Sequence, residues 1–195
     1  LSIRRQRQMC IRDRLCTFFN TLCYNVYTND IQGRNRKMKT FHNEEIYIKT
    51  DNFSDSIFKE NTMFFDIETT GFSPVKAIVY MIGCARRIKN RIVIDQYFAE
   101  SVDDEAAVIE AFAGSLSGCS TIISFNGVGF DIPFLKNKYK KYKQDDPFCN
   151  VQILDIFKEL SPIKPLLCLE NYKQKSIEAF LGIDREDKYL SLIHI

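Results

Sequence analysis

The sequence predicts an α/β fold: a mixed sheet with helices packed against its faces. Three observations carry the prediction. Apolar, β-rich runs cluster early in the chain, helical patterns then alternate with shorter apolar runs, and the connections between them are short. The expected order is β-β-β-α-β-α-β-α.

Each element has its own signal. "DNFSDSIFKEN" (51–61) offers Ser and Asp as capping residues and reads as a short helix or turn. "TMFFDIE" (62–68) is a strand. "KAIVYMIGCARR" (76–87) and "RIVIDQYFAE" (91–100) are β-rich runs that "IKN" joins as a hairpin. "DDEAAVIEAFAGSL" (103–116) starts with acids and spaces Val108, Ile109, Phe112 and Leu116 along one helical face. "TIISF" (121–125) is a short buried strand. "DIPFLKNKYKKY" (131–142) is a helix that tolerates Pro133 in its first turn. "CNVQILD" (149–155) is a fifth strand, and "NYKQKSIEAFLGI" (171–183) a helix closed by Gly182.

Composition bounds the function. Of the 195 residues 45% are hydrophobic and 13% aromatic, enough for one sizeable core. No apolar stretch approaches the ~20 residues of a membrane helix. Seven Cys with no CxxC pair point to reduced thiols and a cytoplasmic protein rather than to disulfides or zinc. The net charge of +2 hides an asymmetry: residues 1–37 hold eight basic and two acidic side chains, +6, so the remainder sums to −4. A basic arm ordinarily points to nucleic acid or an anionic surface. Here, however, "SIRRQRQMCIRDR" (2–14) resembles a translated sequencing adapter, and "SLIHI" (191–195) resembles the same contamination at the other end. The expected organisation is a partly artefactual, disordered arm over 1–52, a folded domain over 53–190 and an artefactual tail over 191–195. Met38 would then be the natural start.

The chemistry starts at "FFDIETTGF" (64–72). Alternate side chains of a strand share a face, so Asp66 and Glu68 point the same way, their Cα atoms ~7 Å apart. A lone D-x-E says little, and Asp103/Glu105 and Asp184/Glu186 are explained by capping and solvation. At Asp66 an apolar run precedes the charges, which is unfavourable unless they are compensated, and the Thr-Thr-Gly turn lets backbone amides approach a ligand. A hard divalent cation would compensate both carboxylates. The second element is "SFNGVGFDIPFL" (124–135), where a strand ends at Asn126, a glycine-containing turn follows and Asp131 opens a helix. Asp131 either caps that helix or joins Asp66 and Glu68 at neighbouring strand ends, where such sheets place their sites.

"FFDIETTG" with "FNGVGFD" resembles the first two motifs of the DEDD exonucleases, which have a ribonuclease H-like fold. "LCLENYKQKSIEAFLGIDRED" (167–187) narrows the resemblance to the YprB-type ribonuclease H-like domain of bacteria, over roughly Phe53 to Lys188. The resemblance implies a divalent-metal nuclease acting on 3′ ends of single-stranded DNA or RNA, with two Mg²⁺ or Mn²⁺ ions. It implies that Asp66 bridges the metals, Glu68 completes the first and Asp131 holds the second through water. Thr69 and Thr70 would meet the terminal nucleotide, and Asn126 would support the site or touch substrate. Phosphodiester hydrolysis by two such ions, held by a few carboxylates, waters and substrate phosphate, is chemically consistent with these residues.

The family's fourth Asp, three or four residues after a His or Tyr, has no match here. Asp155 lies too early and resembles a strand-end residue, although it could still sit near the site; Asp184 and Asp187 lack the spacing, and His194 belongs to the suspect tail. The expectation is a chain truncated after Lys188 or Tyr189 and inactive, or nearly so, by itself. The competing functional reading is a non-catalytic nucleic-acid-binding domain of the same fold; a third is a protein-interaction domain with vestigial acids. "KNKYKKYK" (136–143) reads as an amphipathic helix with a solvated basic face rather than a strand-binding track. Arg86, Arg87, Lys89 and Arg91 read as solvated around a hairpin, and His42 carries no signal.

Overall fold

The structure, a computed structural model, describes residues 38–47, 55, 56 and 58–182. The adapter-like segments 2–14 and 191–195, Asp184, Asp187 and most of the expected element at 51–61 lie outside the described residues.

Six strands form one mixed sheet: β1 (Lys39–Ile46), β2 (Thr62–Thr69), β3 (Val79–Ile88), β4 (Arg91–Phe98), β5 (Thr121–Ser124) and β6 (Gln152–Asp155), in the spatial order β1-β4-β3-β2-β5-β6. The first four pair antiparallel; β5 then pairs parallel to β2, and β6 parallel to β5. Parallel pairing requires a crossover, and the helices provide it: α1 (Glu105–Ser115) links β4 to β5, and α2 (Asp131–Lys141) links β5 to β6.

Both helices pack on one face of the sheet. Met63, Phe65 and Ile67 alternate inward from β2 and meet Val108, Ile109 and Phe112 of α1 and Ile132, Phe134, Leu135 and Tyr139 of α2 in one core. The Phe65 and Phe112 ring centroids are 5.2 Å apart, and Phe148 packs against both. A capping box precedes α1, with the Ser101 amide donating to Asp104 at 2.9 Å.

Three expectations change. Lys39–Ile46, assigned to a disordered arm, forms edge strand β1, paired with β4 along its length. Its sequence KTFHNEEI is too polar to read as a strand; it is anchored by cross-strand pairs, with His42 Nδ1 2.6 Å from Asp95 and Arg91 on Glu44. The arginines are partnered rather than solvated: Arg86 reaches Asp95 at 3.2 Å, and Arg87 bonds Asp55 at 2.6 Å and lies over the Tyr47 ring. Lys138, expected on a wet basic face, is fully buried. The compact unit that holds the sheet ends at Glu159.

Residues 160–182 belong to a second unit. After α3 (Ile156–Leu160) come a short 3₁₀ turn, α4 (Lys164–Leu167) and α5 (Gln174–Leu181). Gly182 closes α5 with φ 72° and an amide donating to the Ala179 carbonyl at 3.0 Å, the expected C-terminal signal. Among the described residues, no helix is long and apolar enough to cross a membrane.

Candidate active site

β2 delivers two carboxylates by simple alternation. Phe65 and Ile67 are buried toward the helices, so Asp66 and Glu68 emerge on the opposite face, Asp66 exposed and Glu68 half-buried. Gly83 of β3 pairs with Asp66 and leaves the space beside it open; a methyl group there would meet nothing within 4 Å. The register then slips: Glu68 pairs with Met81 and Thr69 with Val79, so Tyr80 is an extra residue in β3. Such a bulge re-aims a side chain, and the Tyr80 hydroxyl faces the Glu68 carboxylate, with the Tyr80 ring edge-on to Phe98.

Asp131 arrives from the other side of β2. The parallel ladder of β2 with β5 runs only from Thr62↔Thr121 to Phe64↔Ile123, so beyond Phe64 the β5 side of β2 has no strand beside it. There Asp131 Oδ1 accepts the Ile67 amide at 3.4 Å, a contact between residues 64 apart in sequence. Asp131 therefore reaches across to the strand between Asp66 and Glu68. It is the first residue of α2 and does not cap it; the N-cap position is Phe130 and carries no side-chain cap bond.

Electrostatics links the three acids through Asp66. Asp131 is 5% exposed, and burial first, then the charge of Asp66, push its carboxyl up from 3.8 to about 7. Burial, and again Asp66, hold the Glu68 carboxyl above its ordinary range, while the Tyr80 hydroxyl pulls it back. Asp66 is thus the shared member, with Glu68 on one side and Asp131 on the other.

Among the described residues, no three His, Cys, Asp or Glu side chains already stand together as a metal cage. The donor set itself fits a hard divalent cation: all three groups are carboxylates, and two of them are disfavoured as anions by burial and by the neighbouring Asp66. Ions of this kind keep waters and take substrate oxygens as ligands, so two or three carboxylates around an open edge suffice.

The other expected site residues surround this edge. Thr69 Oγ1 donates to the Gly71 carbonyl at 2.9 Å, and Thr70 Oγ1 accepts the Ile78 amide at 3.0 Å, so both hydroxyls fold the turn after β2. Asn126 is exposed at the end of β5 in the left-handed conformation, φ 61°, which Asn tolerates. Its carbonyl accepts the Gly129 amide at 3.0 Å.

Sequence reasoning missed three groups. Tyr80 depends on a bulge with no sequence signature. Phe72, 89% exposed beside the Thr69–Thr70 turn, meets Phe130 edge-on at 6.1 Å and was passed over as one phenylalanine among sixteen. Asp155, too early in the chain to be the family's fourth Asp, has no role in the sequence reading; it is 3% exposed and accepts backbone amides from Asn126, Val128 and Phe157.

Comparison with known proteins agrees with this architecture. A family model described as the RNase_H superfamily matches residues 63–192. The curated "Uncharacterized protein YprB" of Bacillus subtilis (strain 168) is 28% identical over 82 residues, which cover 42% of this chain and 20% of YprB. Among solved structures, the family B DNA polymerase from the hyperthermophilic archaeon Pyrobaculum calidifontis is similar with TM-score 0.50 and 16% identity, over 64% of this chain and 18% of the polymerase. Exonuclease I of E. coli in complex with a dA16 oligonucleotide gives TM-score 0.49 and 14% identity, over 66% of this chain and 37% of that one. At 16% identity the likeness to the polymerase is one of fold, and this chain spans a minor part of each of these three proteins.

Proposed function

Because the chain belongs to the RNase_H superfamily, we propose that it is the nuclease domain of a protein that hydrolyses phosphodiester bonds with divalent metal ions, removing nucleotides from the 3′ ends of single-stranded DNA or RNA. The observation that carries this reading is the delivery of Asp131 onto β2 at Ile67, beside Asp66 and Glu68. An unrelated helix-capping acid would have no reason to cross to that strand end.

Asp66, Glu68 and Asp131 would hold Mg²⁺ or Mn²⁺, with Asp66 shared between the two positions. Ions of this kind would supply a hydroxide nucleophile and neutralise the charge that builds on the attacking and leaving oxygens. The chain's own residues do the rest. Asp66 is exposed to solvent, while Asp131, the first residue of α2, is buried. The turn folded by Thr69 and Thr70 presents Phe72 to solvent beside the acids, a surface on which a terminal base can stack. Asn126 follows the end of β5, its backbone amide held by Asp155 and its residue exposed.

The resemblance to the DEDD exonucleases calls for a fourth carboxylate, and no counterpart stands among the described residues. Cation binding is therefore a more direct measure than turnover, and hydrolysis by this chain is expected to be weak. Titration with Mn²⁺ in a calorimeter should show binding that Asp66→Ala abolishes while the cooperative unfolding transition persists. A chain that binds single strands with steep salt dependence but is indifferent to Mn²⁺ would be a binding domain without catalysis, and the nuclease reading would fail.

A further inference from the structure

Asp155 ends β6 directly beside Ser124, the last residue of β5. Its carboxylate is buried and accepts three backbone amides. Oδ1 accepts the amides of Asn126 at 2.9 Å and Phe157 at 3.0 Å, and Oδ2 accepts the Val128 amide at 3.0 Å. These are charge-assisted bonds, the strong kind. Two of the three donors belong to the turn that carries the chain from β5 into α2.

That turn has little freedom. Asn126 is held in the left-handed region, and the Ile132 amide donates to the Gly127 carbonyl at 2.8 Å. Gly127 lies so close to Ser124 that a methyl group would come within 2.2 Å of its hydroxyl oxygen and 3.5 Å of Asp131 Oδ2. The path from Asp155 to Asp131 is therefore short and packed: carboxylate to turn amides, turn to the first residue of α2.

We propose that Asp155 is the positioning residue for Asp131, locking the Asn126–Gly129 turn so that the Asp131 carboxylate sits against β2. It rests on Asp131 being a site residue, as proposed above. The alternative role, a fourth metal ligand, conflicts with the geometry: three amides occupy the Asp155 oxygens and draw them toward the turn.

The isosteric variant Asp155→Asn tests this. One amide nitrogen must then face at least one N–H donor, whichever way the side chain is turned. Native-state amide exchange of the metal-free chain is the first readout. Asn126 and Val128 should exchange at least about tenfold faster, the loss of a charge-assisted bond. So should Ile67, whose amide Asp131 accepts, while Ile94 of β4 stays as in wild type. Mn²⁺ affinity should fall as far as in Asp131→Ala, and the double variant should fall no further. Freed turn amides with an unchanged Ile67 overturn the proposal, because the turn would then not place Asp131. So do protected turn amides combined with lost Mn²⁺ binding, which would make Asp155 a ligand. If Asp155→Asn gives no cooperative unfolding, Asp155→Ala, which removes the acceptor without opposing a donor, is read by the same criteria. A wild-type chain that binds no Mn²⁺ refutes the metal reading alone, and Ile67 exchange still judges Asp155.

Discussion

Asp131 is the residue whose environment differs most from water among the three acids, and that difference has a measurable sign. Its carboxyl titrates near 7 when folded and near 3.8 otherwise, because burial and the neighbouring Asp66 disfavour the anion. The metal-free fold binds this proton more tightly than the unfolded chain does. Its contribution to stability is therefore complete below about pH 3.8 and is lost as pH rises through 7, a difference on the order of 4 kcal/mol at most. In EDTA, the urea midpoint of wild type should fall between pH 5 and pH 8 relative to that of Asp131→Asn, which keeps the shape and cannot ionise. An equal pH dependence in the two proteins would show that Asp131 ionises freely. Asp66 sits on the other side of this balance. Asp66→Ala removes the charge that raises both neighbours, so without metal the fold should be unchanged or slightly stabilised even as Mn²⁺ binding disappears. Of these residues, the Asp66/Glu68 pair was legible from strand alternation alone. Asp155 was not, because its partners are backbone amides, which every residue but proline carries.

At the scale of the elements, the site depends on where ladders stop. β5 is four residues long, so β2 runs past it and exposes the Ile67 amide for Asp131; a longer β5 would have occupied that edge. The sequence located both strands and the helix start, since apolar runs and a first-turn proline are local signals. It did not say that β2 and β5 are parallel neighbours over so short a stretch, and that register brings the acids together. β1 was missed for a related reason: an edge strand needs pairing on one side only, and polar residues suffice when they form cross-strand ion pairs. The turn between β5 and α2 makes a sharper claim. Gly127→Ala should destabilise by roughly 1–3 kcal/mol, because the new methyl has only Ser124 to displace. Ser124→Ala should not rescue it, since the Ser124 Cβ itself lies 2.6 Å from the new methyl; Ser124→Gly should. Gly83→Ala, beside Asp66 but in open space, should lose nothing and gain roughly 0.5 kcal/mol. Thermal unfolding of the four variants separates these outcomes.

At the scale of the whole sheet-bearing unit, the two halves of the site are tied together through the core on the far face of the sheet. Lys138 of α2 and Glu105 of α1 are both fully buried, 2.8 Å apart. Lys138 also donates to the Ala77 carbonyl, and Glu105 accepts the Val79 amide at 2.8 Å, while Lys141 and Tyr142 reach its other oxygen. The helix that starts with Asp131 is thereby fixed to the segment that returns from the Thr69–Thr70 turn into β3. Nothing in "KNKYKKYK" distinguishes Lys138 from its four lysine neighbours except its place one residue before buried Tyr139 on the inward arc, which explains why it read as solvated. A buried pair contributes little net stability, but breaking one side leaves a charge in the core. Lys138→Met should therefore destabilise by about 3 kcal/mol, toward the lower end of the usual range because Lys141 and Tyr142 remain on Glu105. Adding Glu105→Gln, whose carbonyl oxygen still accepts the Val79 amide, should recover most of that loss in urea unfolding. If a neutral, packed core is enough to set the geometry between α2 and the turn, Mn²⁺ binding should weaken in the single variant and return in the double. Recovered stability with Mn²⁺ binding still impaired would show that the ion pair itself, and not merely a neutral core, holds Asp131 in register with Asp66.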